Sequence, residues 1–420
     1  MKLIKTTLIS SLNILLRIVF GLILNKIISV SAGPAGLAIF AQFQNIIQIL
    51  VQSSQLGILS GYTKYLVNYN RKKILRDNLK NTTLTILSMG TALSLIIMFA
   101  FSEKIIIAVD YSGNTHMILY AVAAAMFFYN LGAYLIATLV GLEFPVRASL
   151  LNFLQTIFLI LITLPMSYLF GLTGAIIGLI LSQVLWSISA AFLTKIPRVA
   201  SPEFSTTKFS YGIGKRLAGY MMSGLIVAIA GPLSLFLIRT NSIQVLGADQ
   251  VGLWQALQSI SAIYMSMIVI IITTFYYPKF SASKRLGIKR SVISVFFEAT
   301  IFSSMLFLIF AIGLYLFGTK IISIAFTDEF ILAADYIIFQ IFGDFFRVIT
   351  ITISYFLLAR GEQMKFIILE LFSAISFFLL FHTIIENDIF DIFYSYIISG
   401  LVTILTACIL LTITFRQMKS

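Results

Sequence analysis

The chain has 420 residues, of which 59% are hydrophobic and only 11% charged, and its mean hydropathy is +1.01. Those figures exclude a water-soluble globular domain and point to an integral membrane protein. The formal net charge of +13 is read as membrane topology and not as nucleic-acid binding, because basic membrane proteins carry their surplus on cytoplasmic loops.

Apolar runs bounded by charge, Gly or Pro predict twelve transmembrane helices, near 6–28, 35–66, 82–101, 115–141, 148–169, 172–194, 213–239, 246–276, 291–316, 331–359, 365–384 and 388–414. The first run imitates a secretory signal, with Lys2 and Lys5 ahead of it. Arg17 interrupts it and no small-residue cleavage site follows, so it is read as an uncleaved span. With the N-terminus in the cytoplasm, all but six of the 29 Lys and Arg fall on inner segments or beside them, which places both termini inside. The six exceptions are Arg17, Lys26, Lys104, Arg239, Lys320 and Arg347.

A shift of 216 residues superimposes Gly36-Leu37 on Gly252-Leu253, Gln42 on Gln258, and FSEKII from Phe101 on FGTKII from Phe317. The repeat predicts an all-α membrane protein of two parallel six-helix lobes around a central cavity. The lobes are expected at 1–194 and 213–420, joined by a cytoplasmic linker at 195–212.

A charged side chain at mid-bilayer costs roughly 2.5–3.5 kcal/mol on insertion scales and normally faces protein or water. At 100° per residue, Ser10, Asn13, Arg17 and Gly21 share one face of the first span. Lys26 stands about 13 Å further along the axis and half a turn round, so on a straight helix the two cations do not share a ligand atom. On the second span Gln44, Asn45, Gln48, Gln52 and Gln55 fall within about 100° of one another, echoed on the eighth by Gln255, Gln258 and Ser259 beside Trp254. Two readings of these amides stay open: hydrogen bonding between helices, or a wall facing sugar hydroxyls.

The tenth span carries Gln340, Asp344, Arg347 and Ser354 on a polar face. Asp344 and Arg347 are spaced to form a structural ion pair. Alternatively Arg17 and Arg347, one per lobe, receive an anionic group such as a phosphate, and Asp344 exchanges a proton or cation. A salt bridge from Arg17 to an acid such as Asp344 is a further alternative. Glu298 and Glu370 lie nearer the cytoplasmic edge, where pairing with loop lysines explains them as well as transport does.

No phosphate loop, zinc-protease helix or nucleophile elbow occurs, so an enzyme is not expected. Cys408 is the only cysteine, which excludes an intrachain disulfide. His116 and His382 have no neighbour at ligand spacing, so neither a metal site nor a cofactor is expected.

The stretches LRIVFGLILNKIISVSAGPAGLAIFAQFQ, SGYTKYL, DQVGLWQALQSISAIY and FGDFFRVITITISYFLLAR resemble the Wzx-type lipid-linked oligosaccharide flippases of Gram-negative bacteria, those for O-antigen and enterobacterial common antigen. The resemblance runs over the whole chain and is most specific at GPAGL (33–37), Thr63-Lys64-Tyr65 and VGLWQ (251–255). It implies the fold of the multidrug and toxin extruder superfamily, an inner-membrane location, and a polyprenyl-diphosphate oligosaccharide carried from the cytoplasmic to the periplasmic leaflet. It further implies a diphosphate site at Arg17, Lys26 and Arg347, and an acid of the family pattern at Asp249. Lys64, Asp249, Glu298 and Glu370 are then candidates for gating or pairing, although Glu298 departs from the family pattern. Membrane lipid, a glycan polymerase and a chain-length regulator are the candidate partners. The rival functions are a proton- or sodium-coupled multidrug exporter, disfavoured by a cation-rich cavity, and a membrane glycan polymerase or glycosyltransferase, disfavoured by outer loops too short to hold its chemistry.

Overall fold

The computed structural model describes residues 2–70, 72–109, 111, 113–193, 209–286, 289–386 and 388–417. Among them the chain is helical almost throughout. In order come α1 (Lys2–Gln55), α2 (Ile58–Tyr69), α3 (Lys73–Ala100), the short α4 (Ser102–Val109), α5 (Thr115–Gly141) and α6 (Pro145–Leu193). Then follow α7 (Tyr211–Leu246), α8 (Ala248–Ile271), α9 (Tyr277–Leu286), α10 (Lys289–Ala325), α11 (Ile337–Ala359), α12 (Gln363–Ile384) and α13 (Phe390–Arg416). A π-helical turn joins α8 to α9 and a 3₁₀ segment, Asp328–Tyr336, leads into α11.

Ten stretches among the described residues are long and apolar enough to cross a membrane. Two of them, Leu12–Gln55 and Pro145–Phe192, run to 44 and 48 residues, a rise of roughly 65–70 Å against a hydrocarbon core of about 30 Å. Each is bent once. At Gly33 (φ 60°, ψ −162°) and Gly171 (φ 58°, ψ −137°) the backbone leaves the helical region, in a conformation that glycine adopts without a Cβ penalty. Pro34 opens the second limb of α1, where its missing N–H leaves no hydrogen bond unmade. The breaks expected near 28–35 and 169–172 are therefore corners of one or a few residues.

Contacts divide the chain into two compact units, one of residues 1–32 and 39–232, the other of 33–38 and 233–420. Most of the expected linker, residues 195–208, lies outside the described residues, and the division falls within α7, at Pro232.

In lipid, helices associate through packing and hydrogen bonds, since no hydrophobic force separates them from acyl chains. In the first unit Tyr62 stacks on Tyr134, and the Trp186 indole donates to the Leu151 carbonyl at 3.0 Å. Asn130 on α5 donates to Ser54 on α1 (3.0 Å) and to Thr91 on α3 (2.8 Å), a buried polar tie among three helices. The second unit is held by phenylalanines: the Phe356 ring centroid lies 5.3 Å from that of Phe280, 5.0 Å from Phe296 and 5.8 Å from Phe415.

Candidate functional site

In the first unit the polar strip of α1 meets a matching strip on α6. The Ser10 and Ser149 hydroxyls lie 3.2 Å apart, and Thr156 Oγ1 donates to Asn13 Oδ1 at 2.6 Å. Arg17 Nε donates to Thr156 Oγ1 at 3.0 Å and Nη2 to Gln155 Oε1 at 2.9 Å, while Gln155 Nε2 reaches Gln183 Oε1 at 2.9 Å. Both acceptors of Arg17 are neutral. Its side chain remains exposed, and among the described residues Nη1 has no hydrogen bond. A guanidinium so braced keeps its charge and part of its fork for another ligand. Gln155 and Thr156 were not singled out in the sequence. The spacing of Ser149, Asn152 and Thr156 on one helical face was the signal available for them.

On the second limb of α1, Gln44 and Gln48 are exposed and Gln52 and Gln55 half-buried, so four of the amides share an accessible face. Asn45 turns inward, with its Nδ2 unpartnered among the described residues. Lys26 is half-buried and Lys64 exposed.

The second unit holds a charge of the opposite sign. Asp344, on α11, is 1% exposed. Its Oδ2 accepts from the Ser261 and Tyr264 hydroxyls of α8, its Oδ1 accepts from Tyr396 of α13 at 2.7 Å, and Gln340 Nε2, one turn earlier, stands 3.1 Å from both oxygens. Gly343 makes this possible: a Cβ there would stand 2.2 Å from Tyr396 Cδ1. Neutral donors thus occupy the carboxylate, and among the described residues no salt-bridge contact joins Asp344 to Arg347. Arg347 neighbours Tyr396, Asp344 and Glu370, yet its side chain is accessible. Sequence reasoning found Asp344, Gln340 and Arg347, which share a helix, and missed Ser261, Tyr264 and Tyr396, which reach them from elsewhere.

The remaining candidates separate. Trp254, expected beside a sugar-facing surface, is fully enclosed with Arg239 over its ring, so its ring is closed to a sugar in this conformation. Gln255 accepts from Arg239 Nη2 at 2.6 Å, and Gln258 is half-buried. Asp249 Oδ1 accepts from the Ala35 amide at 3.2 Å, serving one of the N–H groups that the break at Gly33 leaves without an intrahelical partner. Glu298 pairs with Lys279 at 2.9 Å on an exposed surface, and Glu370 accepts from Ser354 at 2.7 Å.

These features define a multi-pass, all-α membrane transporter fold. The chain shares it with a multidrug resistance transporter of the MATE family, MOP superfamily, in an inward-facing conformation, at a TM-score of 0.81 and 15% identity over 99% of both chains. It also matches the lipid II flippase MurJ in an inward closed conformation, at a TM-score of 0.73 and 15% identity over 97% of this chain and 87% of that one. In sequence the chain is similar to the lipid III flippases of Escherichia coli (strain K12) and Shigella flexneri, each 25% identical over 379 residues and 88% of both chains. No family model matches it. These likenesses support a transporter without enzymatic activity.

Proposed function

We propose that the protein is a flippase that moves a polyprenyl-diphosphate-linked oligosaccharide from the cytoplasmic to the periplasmic leaflet of the bacterial inner membrane by alternating access. In this reading the chain crosses the membrane twelve times, the two bent helices twice each, with both termini cytoplasmic. The cargo is an O-antigen or related surface glycan. The observation that carries the proposal is Arg17: a cation set among apolar helices, braced by neutral side chains and left open. Such a group suits a diphosphate, whose oxygens accept from a guanidinium fork. Arg347 and Lys26 supply further positive charge. The accessible face of Gln44, Gln48, Gln52 and Gln55 offers donors and acceptors to sugar hydroxyls. The polyprenyl tail stays in lipid, so only headgroup and sugars need a polar path. The similarity to two lipid III flippases supports this class of cargo. Asp344, held by four donors, is assigned to ion coupling.

The test is mass spectrometry of lipid co-purified with the full chain, alongside surface glycan in a cell lacking its own flippase. A polyprenyl-diphosphate glycan is expected on the unmodified protein and absent from Arg17→Ala and Arg347→Ala at equal protein level. Normal surface glycan with both variants overturns the assignment of the headgroup site. Asp344→Asn is expected to abolish the dependence of transport on the proton or sodium gradient while lipid still co-purifies.

A further inference from the structure

Arg239 is one of the six cations that topology leaves unexplained, and the flippase reading does not use it. It lies about 10 Å along α7 from Leu246, and Trp254 about 9 Å along α8 from Ala248, on either side of the Gly247 corner. The Arg239 side chain is 3% exposed and Trp254 is fully buried. One guanidinium nitrogen, Nη2, donates to Gln255 Oε1 at 2.6 Å, and the guanidinium carbon lies 5.5 Å from the centroid of the Trp254 ring. Among the described residues Arg239 Nε and Nη1 and Trp254 Nε1 have no hydrogen-bond partner, and none of the ion pairs among them involves Arg239.

Guanidinium and indole N–H groups only donate. A buried positive charge with one neutral acceptor stays uncompensated, and cation–π attraction offsets only part of its desolvation. An anion supplies both the missing acceptor and the missing charge. Near-complete burial restricts it to a small one. We propose that Arg239 and Trp254, with Gln255 as brace, form an internal binding site for a halide-sized monovalent anion, chloride in the first instance. The site is independent of the proposed transport activity.

The test uses the purified full chain in detergent, titrated with sodium chloride against sodium gluconate at constant ionic strength. Trp254 fluorescence is read in a Trp186→Phe background, since the chain has two tryptophans. A saturable chloride response, weakened at least about tenfold in Arg239→Gln, is expected from the loss of one charge-assisted contact. Coincident chloride and gluconate curves overturn the proposal. So does an undiminished response in Arg239→Gln, and so does a response that never saturates. Should either variant fail to fold, the unmodified chain decides. Its unfolding temperature is expected to rise by several degrees in chloride over gluconate, and equal temperatures overturn the site, leaving buried water as the partner of these donors.

Discussion

In the first unit the charge is a cation, Arg17, with two neutral acceptors and an open side; in the second it is an anion, Asp344, enclosed by three hydroxyls and an amide. Both are charges set among apolar helices, yet they are satisfied to opposite degrees. A partly satisfied cation is ready for a ligand that arrives from outside. A fully satisfied carboxylate exchanges partners only when α8, α11 and α13 shift against one another. Under the proposed function, the first of these sites is assigned to binding and the second to state-dependent exchange.

That comparison breaks first at Arg17. Arg17→Ala is expected to lower glycan export about 10- to 100-fold, the worth of a charge-assisted hydrogen bond of about 1.5–3 kcal/mol. Arg17→Lys should recover part of it, because the charge remains while the fork is lost. Export assays at matched protein level give the answer. In the second unit Tyr396→Phe removes one donor to Asp344 and is expected to cost about 1.5–3 kcal/mol of stability. Gly343→Ala drives a methyl group into the Tyr396 ring and should cost about 1–3 kcal/mol. Thermal unfolding in detergent measures both, and an unchanged melting temperature in both would show that the carboxylate cluster is not a stabilising tie. Thr156→Val sharpens the first half: Arg17 keeps Gln155 but loses its other acceptor, for roughly 1 kcal/mol and a few-fold fall in export. The smallest effect belongs to the surface pair of Lys279 and Glu298. Glu298→Gln should leave both melting and export unchanged, because exposed ion pairs contribute little.

Periodicity made one side of each cluster legible. Ser10, Asn13 and Arg17 lie three to four residues apart, and so do Gln340, Asp344 and Arg347, so their shared faces could be read along the chain. Their partners could not: Thr156 and Tyr396 belong to helices whose pairing is set by packing between distant segments. Trp254 shows a second limit. Helical spacing says which way a side chain points but not whether another residue, here Arg239, closes over it. Asn45 lies at the edge of the amide arc opposite Gln44, and the structure turns it inward. The glycine corners were legible as breaks, at Gly33-Pro34 and at Gly171, though their tightness depends on backbone angles that composition does not specify.

Those corners bear on how the protein can be probed. Gly171 lies within van der Waals distance of Ser31: a Cβ on it would be 3.7 Å from that serine's side chain, so the bend of α6 packs against the end of the first limb of α1. A protease working there meets backbone that swings from one helix into the next with almost no extended segment to grip, and an epitope tag spliced in would pry the two limbs apart. A label is better placed in the stretch after α12, where Ile385 leaves the helix in an extended conformation.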